Sequence, residues 1–218
     1  TDGVFSMEGD LARLDKICDL AEKYGALVMV DDSHATGFLG SRGRGTPEEF
    51  GVENRIDILT STMGKALGGA SGGFTSGRKE IVSYLRQKSR PYLFSNTLAP
   101  PLVAGAIKAI EIIENRPQLR QTLMENARYF RGEMVKLGFD VLPGHHPIVP
   151  IMLRDEIKNV AMSKAVNERG VFVVAFSYPV VPHGEARIRA QISAAHTKQH
   201  LDQVLAVFED AGKELEVI

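Results

Sequence analysis

A lysine in a glycine-rich turn is the residue best suited to do chemistry in this 218-residue sequence. Lys65 follows the hydroxyl-bearing pair Ser61-Thr62, and five glycines lie among the residues from Gly64 to Gly73. A lysine amine acts as a nucleophile or base at neutral pH when it is partly desolvated, and glycines let the backbone approach a bulky planar ligand. The turn therefore predicts a lysine that holds a cofactor.

An acid and a histidine precede that turn, at the end of a predicted buried strand. Asp31-Asp32-Ser33-His34 follows the apolar run Ala26–Val30, and ligands bind at this end of the strands in open α/β sheets. Pyridoxal phosphate chemistry needs a carboxylate that keeps the cofactor's ring nitrogen protonated, which is the role expected of Asp31, and His34 can bond the ring hydroxyl. A metal site and a merely solvated strand end remain open for this motif.

The order of residues around Lys65 excludes two phosphate-binding motifs. Ala66 follows the lysine where a P-loop needs serine or threonine, and the glycines do not match G-x-G-x-x-G. Thr62 lies within one helical turn of the lysine, so its hydroxyl could hold the cofactor phosphate. The alternative is a flexible glycine loop with an exposed lysine, and the Asp31 motif upstream favours the cofactor site because the two patterns agree.

Weaker signals are spread over the rest of the chain. Arg187 and Arg189 alternate on a predicted strand and share a face, so they could bind a carboxylate through two parallel hydrogen bonds or form a solvated edge. Ser95-Asn96 could contact phosphate or cap the next helix. The i, i+4 pair His196 and His200 could bind a metal, although a helix cap and a surface histidine are the favoured interpretation.

Composition excludes several classes of protein. The net charge is -1 and the sequence pI is about 6.6, which argues against nucleic acid or an anionic membrane surface as the main partner. The longest wholly apolar runs are too short to span a bilayer. The single cysteine, Cys18, rules out a disulfide within the chain and is expected to be a small core or helix-surface residue and not a nucleophile.

The elements predicted from periodicity form an α/β part followed by an α+β part. We place the boundary where Pro117 separates two helices, which gives domains 1–115 and 116–218. Predicted helices are Asp10–Tyr24, Arg78–Lys88, Pro100–Glu114, Gln118–Leu137, Val160–Glu168 and Thr197–Leu215. Predicted strands are Ala26–Val30, Ile56–Thr60, Gly72–Ser76, Phe139–Leu142, Ile148–Leu153, Val171–Phe176 and Arg187–Ile192, with Arg90–Asn96 extended.

Together these residues resemble a family, the α-oxoamine synthases, which are fold-type-I pyridoxal-phosphate enzymes. The resemblance runs essentially end to end and rests on the segments Val30–Gly37, Thr62–Gly69, and Tyr178–Pro182 leading into Ala186–Arg189. It implies part of a large α/β cofactor domain, with a mostly parallel sheet and helices on both faces, plus a small C-terminal α+β domain. The first residues read like the interior of a domain, so we expect an N-terminal part to precede Thr1.

By position, the resemblance implies a role for each candidate residue. Lys65 bonds the cofactor as a Schiff base, Asp31 pairs with the ring nitrogen, and His34 contacts the ring's phenolic oxygen. Further cofactor contacts and a carboxylate site complete the set: Ser6, Thr62, the partner-facing Ser95 and Asn96, and Arg189 for the amino-acid carboxylate. The resemblance also implies a homodimer with shared active sites and further cofactor contacts before Thr1.

Within the family, the segments Arg90–Asn96 and Gln191–Thr197 look most like members that join glycine and acetyl-CoA to 2-amino-3-ketobutyrate and CoA, or cleave that product in threonine breakdown. Alternatives within the family are members of the 8-amino-7-oxononanoate synthase, 5-aminolevulinate synthase or serine palmitoyltransferase type. An alternative of another class is an inactive module that keeps only the fold. The implied location is the cytoplasm in a bacterium and the mitochondrion in a eukaryote.

Overall fold

The protein divides into two compact units in a computed structural model that describes residues 1–68 and 71–218. Gly69, at the end of the lysine motif, lies outside the described residues. The first unit comprises Thr1–Phe5 and Leu11–Arg120, and the second comprises Ser6–Asp10 and Gln121–Ile218. Elements of the first unit are α1 (Leu14–Tyr24), β1 (Met29–Asp31), α2 (Thr46–Glu49), a 3₁₀ turn (Glu53–Arg55), β2 (Ile58–Thr62), β3 (Gly73–Gly77), α3 (Lys79–Lys88), α4 (Arg90–Phe94) and α5 (Pro100–Asn115). Helix α6 (Pro117–Lys136) begins in the first unit and continues into the second, which also holds β4 (Ile148–Arg154), α7 (Glu156–Glu168), β5 (Ala175–Phe176), β6 (Ala186–Gln191) and α8 (Lys198–Glu214).

The sheet of the first unit places the ends of β1 and β2 at the same edge. β1 and β2 are parallel, with Asp31 opposite Thr60, and β3 runs antiparallel to β2 on the far side. The other side of β1 is also paired, because Gly3 N donates to Asp31 O at 2.7 Å and Asp31 N donates to Thr1 O at 2.9 Å. Asp31 is therefore held by backbone hydrogen bonds on one side and by the β2 ladder on the other.

Helix α1 covers this sheet but starts later than predicted. The apolar residues of α1 and β1, among them Leu14, Cys18 and Val30, form the buried core of the first unit. The helix begins at Leu14 and not at Asp10, because Leu11 pairs with Val4 and the Ala12 N–H donates to the Gly3 carbonyl. Gly25 ends the helix in the left-handed conformation, as predicted.

The prediction that Arg90–Asn96 is extended is wrong in part. Residues Arg90–Phe94 form the short helix α4, with Pro91 in its first turn. A proline there loses no helical hydrogen bond, so its presence does not oppose a helix. The aromatic residues of the segment, Tyr92 and Phe94, lie on exposed helical positions.

The second unit has a core between one antiparallel sheet and its helices. The strand order is β4-β6-β5, and α7 contacts all three strands. Its largest fully buried side chains are Phe130, Met134, Ile151, Met162, Ile188 and Phe208. Phe139–Leu142 is not a strand but contributes one isolated bridge, Val141 to Ile151.

The predicted strand Val171–Phe176 is shortened for a local reason. The side chain of Asn167 accepts a hydrogen bond from Val173 N at 2.8 Å and donates one to Val173 O at 3.0 Å. A side chain thus satisfies backbone groups that a neighbouring strand would otherwise pair, and only Ala175–Phe176 joins the sheet. No helix among the described residues is long and apolar enough to cross a membrane.

Candidate active site

Lys65 and His34 meet at the edge of the first unit's sheet. The Nζ atom of Lys65 lies 2.9 Å from Nε2 of His34, which is hydrogen-bond distance. Lys65 follows β2 and His34 follows β1, so the parallel pairing of the two strands brings both turns to one edge. Within the described chain Lys65 is exposed and His34 is half-buried, so these residues do not themselves supply the partial desolvation expected for a reactive lysine amine.

Asp31 is placed as an ionised, accessible carboxylate beside this pair. Its side chain is exposed at the end of β1, and one carboxylate oxygen, Oδ1, accepts a hydrogen bond from Ser33 N at 2.9 Å. Partial burial pushes the pKa of Asp31 up, but hydrogen bonds from Ser33 and the positive charge of Lys65 outweigh it, so the pKa lies below its ordinary value. Asp31 is therefore a carboxylate at neutral pH, as a partner for a protonated ring nitrogen must be.

Asp32, for which no role was predicted, is a structural anchor under the site. Its side chain is fully buried, and both carboxylate oxygens accept from Thr46 N at the start of α2, at 3.3 and 3.0 Å. A Cβ on Gly3 would lie 2.3 Å from Oδ1, and one on Gly45 1.7 Å from Oδ2. Both positions must therefore be glycine for Asp32 to fit between the first residues and the loop before α2.

The alternation of side chains along a strand distinguishes the roles of Asp31 and Asp32. Val30 is buried, Asp31 is exposed and Asp32 is buried, so the two carboxylates point to opposite sides. A reading of side-chain parity from Val30 would have assigned the outward position to Asp31. Gly3 and Gly45, which pack against Asp32, lie far from it in the sequence, and no local pattern predicts these contacts.

The hydroxyl of Thr62 is used inside the lysine turn. It accepts from Gly64 N at 3.1 Å and lies 3.2 Å from the carbonyl oxygen of Gly72, to which it donates. These bonds close the turn that carries Lys65. Ser95 and Asn96 follow α4 and are exposed, so the structure leaves them open to a ligand or a partner.

Arg187 and Arg189 lie on β6 of the second unit and differ in environment. Arg187 is buried, with 3% of its side chain exposed, and pairs with Glu8 and Glu185. Arg189 is half-buried, its Nη1 donates to the carbonyl of Ser6 at 2.8 Å, and its guanidinium lies 5.1 Å from the ring centre of Phe176. Burial lowers the pKa of Arg189, yet an arginine remains protonated at physiological pH. The solvated-edge interpretation of this pair is therefore wrong for Arg187.

The weaker candidates have structural explanations. The Nδ1 atoms of His196 and His200 accept from Ser193 N and Thr197 N, and His200 completes a capping box at the start of α8. In the parts of the chain that the structure describes, no three acids, histidines or cysteines are grouped to hold a metal. Cys18 is buried, and burial raises the pKa of its thiol, which suits a core residue.

A match to a known family covers almost the whole chain. Residues 1–208 match the model of the family described as aminotransferase class I and II. The chain belongs to this family. The match covers the lysine turn, the Asp31 motif and both β6 arginines, and so spans both units.

The curated relatives confirm the resemblance to α-oxoamine synthases. The chain is 53% identical over all its 218 residues to 2-amino-3-ketobutyrate coenzyme A ligase of Escherichia coli K12, covering 55% of that protein. It is 51% identical over 213 residues, 98% of the chain, to the mitochondrial 2-amino-3-ketobutyrate coenzyme A ligase of Mus musculus, covering 51% of it. It is 50% identical over its full length to 8-amino-7-oxononanoate synthase of Thermosipho melanesiensis, covering 56%. The chain spans about half the length of the curated relatives it matches.

Solved structures confirm the α/β fold class. A structure of SPT with PLP internal aldimine matches the whole chain with a TM-score of 0.96 at 35% identity and is covered to 55%. The serine palmitoyltransferase of Sphingomonas wittichii matches the whole chain with a TM-score of 0.95 at 32% identity, again covered to 55%. The chain therefore has the fold of part of a PLP-dependent transferase of this group.

Proposed function

We propose that this chain is part of a pyridoxal-phosphate-dependent acyltransferase that joins glycine and acetyl-CoA to 2-amino-3-ketobutyrate and CoA, or cleaves that product with CoA. The observation that carries the proposal is the Lys65–His34 contact of 2.9 Å beside an ionised Asp31. The 53% identity to 2-amino-3-ketobutyrate coenzyme A ligase supports the choice of substrates.

The residues at the sheet edge fit the cofactor. An amine, an imidazole and a carboxylate converge there, and these are the groups needed to attach a pyridine ring, bond its phenolic oxygen and pair with its ring nitrogen. When bound, pyridoxal phosphate supplies an electron sink for the α-carbon of an amino acid. Ser6, Thr62, Ser95 and Asn96 are proposed as further cofactor contacts.

Each protein group then has one task in the reaction. Lys65 would hold the cofactor through Nζ, and as a free amine it would remove the α-proton of the bound glycine and hold that proton on Nζ. The α-carbon then forms a bond to the acetyl carbon of acetyl-CoA, the carbon–sulfur bond breaks, and the CoA thiolate takes the proton held on Lys65 Nζ and leaves as a thiol. Arg189 binds the glycine carboxylate through paired hydrogen bonds and so orients the Cα–H bond.

The assembly and location follow from the same proposal. We infer a homodimer, in which Ser95 and Asn96 reach the partner's cofactor phosphate. Domains 1–115 and 116–218 are proposed as the large and small domains of the subunit. The proposed location is the cytoplasm in a bacterium and the mitochondrion in a eukaryote, and the name of the mouse relative supports the second part.

A second candidate function is favoured by one relative. The chain is 50% identical to an 8-amino-7-oxononanoate synthase, and the resemblance to the family implies that its members differ in the amino acid and the acyl chain. The test is release of CoA by the protein loaded with pyridoxal phosphate, with acetyl-CoA or longer acyl-CoAs as donors and with glycine, alanine or serine as acceptors. Preference for acetyl-CoA and glycine supports the proposal, and preference for a longer chain and alanine supports the alternative.

Binding of pyridoxal phosphate distinguishes an enzyme from a non-catalytic module before any assay of turnover. The purified protein is mixed with pyridoxal phosphate, and its absorbance is recorded. A lysine-bound cofactor absorbs at roughly 400–430 nm, and this absorbance remains after dialysis. Cofactor that is merely free in the buffer is removed by dialysis, and its absorbance is lost. A spectrum that disappears on dialysis would assign the chain to the non-catalytic class.

A further inference from the structure

A short segment near the start of the chain belongs to the second unit and lies against β6. Residues Ser6–Asp10 group with Gln121–Ile218, although the residues on either side of them belong to the first unit. Gly9 has a φ of +76°, and a Cβ there would lie 3.2 Å from the carbonyl oxygen of Ile148. The segment therefore packs closely on the start of β4 at a position that favours glycine.

The segment orients the side chain proposed to bind the substrate carboxylate. The carbonyl oxygen of Ser6 accepts from Nη1 of Arg189 at 2.8 Å, and Phe176 lies against the guanidinium. Within residues 1–68 and 71–218, the Arg189 guanidinium makes no other hydrogen bond. The N–H groups of Nη2 and Nε are therefore available to a ligand. The direction of those donors depends on where the Ser6 carbonyl lies.

The position of Ser6 depends in turn on an ion pair two residues further along. Glu8 Oε1 accepts from Nη1 of Arg187 at 2.8 Å. Arg187 is almost fully buried and is fixed independently by Glu185, whose backbone carbonyl accepts from Nε at 2.8 Å and whose carboxylate accepts from Nη2 at 3.2 Å. A rigid buried cation thus anchors Glu8, and Glu8 anchors the segment that carries the Ser6 carbonyl.

We propose that Glu8 is a positioning residue for the amino-acid carboxylate, which acts by holding the Ser6 carbonyl against Arg189. The inference rests on the proposed function in that Arg189 is taken as the carboxylate site. It assigns a role to an acid that does not itself touch the substrate. Its effect is expected on the affinity for glycine, because the proton transfer is carried out by Lys65 in the other unit.

The expected effect is moderate because Arg187 keeps a partner. With Glu8→Ala, the buried guanidinium still pairs with Glu185, so no buried charge is left unpaired and the unit remains folded. The loss of a charge-assisted contact that orients the site corresponds to about a tenfold rise in the dissociation constant of glycine. Glu8→Gln keeps an oxygen acceptor for Arg187 and is expected to fall between Glu8→Ala and the unchanged protein.

The experiment compares Glu8→Ala and Glu8→Gln with a matched control, Glu209→Ala. Glu209 pairs with Lys213 on the surface of α8, so its loss also removes a glutamate that pairs with a basic side chain but leaves β6 untouched. The dissociation constant of glycine is obtained by titration of the loaded protein, followed by the cofactor absorbance. The rate at saturating glycine is measured separately, and the Ser6–Arg189 distance is read from a crystal structure of Glu8→Ala.

The outcomes separate this inference from the proposed function. Weaker glycine binding in Glu8→Ala, with an unchanged saturated rate, an unchanged Glu209→Ala control and a broken Ser6–Arg189 bond, supports it. An intact bond in Glu8→Ala, or an unchanged glycine affinity with the bond broken, overturns it. If the unsubstituted protein binds no glycine while the bond breaks as expected, the proposed function fails and the positioning of Arg189 by Glu8 stands.

Discussion

The Nζ atom of Lys65 lies 2.9 Å from Nε2 of His34, although the two residues are separated by 31 positions in the chain. They meet because β1 and β2 are parallel and end at the same edge, where Asp31 also lies. A lysine and a histidine in contact and a carboxylate therefore lie at the same edge of the sheet. This geometry makes separable predictions about each group.

Replacement of Lys65 by alanine is expected to abolish both the cofactor absorbance at roughly 400–430 nm and turnover, because one amine is both the attachment point and the base. The absorbance spectrum and an assay of CoA release measure the two effects. Lys16→Ala, which removes an exposed lysine on α1, is the control and should change neither. Turnover that persists in Lys65→Ala would disprove the assignment.

Replacement of Asp31 by alanine is expected to weaken cofactor binding and to slow exchange of the glycine α-proton with solvent by roughly 100-fold or more, because the ring nitrogen loses its ionised partner. The exchange is followed by proton NMR in D₂O at saturating cofactor. Asp15→Asn, which alters a half-buried acid paired with Arg13, serves for comparison. Equal exchange rates in Asp31→Ala and the unchanged protein would contradict this role.

Asp32 is expected to matter for stability and not for chemistry. Asp32→Ala removes the acceptor of Thr46 N and should lower the free energy of unfolding by about 1–3 kcal/mol. Burial raises the pKa of Asp32 above 3.8, although hydrogen bonds from Thr46 oppose it. The folded state therefore binds this proton more tightly, and the stability it contributes is present below pH 3.8 and lost as pH rises through the folded pKa.

The pH dependence of Asp32 is separated from its packing by Asp32→Asn, which cannot ionise. Urea unfolding followed by circular dichroism, repeated from acid to neutral pH, gives the free energy of unfolding for each protein. The unchanged protein should lose stability relative to Asp32→Asn as the pH rises above 3.8. Parallel curves for the two proteins would show that Asp32 does not titrate in this way.

Glu48 should show the opposite dependence. Burial tends to raise its pKa, but hydrogen bonds from Arg42, Arg44 and Ser41 lower it from 4.5 to about 2. Its contribution to stability is therefore present above pH 4.5 and lost as the pH falls toward about 2. Glu48→Gln is expected to cost about 1–3 kcal/mol at neutral pH and progressively less below pH 4.5, as measured by the same unfolding experiment.

Local patterns predicted most of the architecture. The helical spacing of Pro100–Glu114 and the apolar run before Asp31 correspond to α5 and β1 within a few residues. Two of the failures share a cause, which is that hydrogen bonds from distant or side-chain groups replaced the expected ones. Gly3 pairs with Ala12 and delays α1, and Asn167 satisfies the backbone of Val173 and shortens β5.

The candidate site was predictable to the extent that it lies in contiguous motifs. Lys65, His34 and Asp31 are indicated by residue type and strand position alone. The anchoring of Asp32 between Gly3 and Gly45, and the link from Glu8 to Arg187, join residues distant in sequence. A single sequence contains no periodicity for such contacts, so only the folded chain reveals them.

The path of the chain makes the second unit discontinuous. Glu8 and Arg187 are 179 residues apart, and Ser6 and Arg189 are 183 apart, yet each pair belongs to that unit. During synthesis, Ser6–Asp10 leaves the ribosome long before β6 exists, and contacts of such long range form late in folding. The proposed carboxylate site can therefore be completed only when translation has passed Arg189, and a polypeptide that begins at Gln121 would carry both arginines of β6 without Glu8 or Ser6.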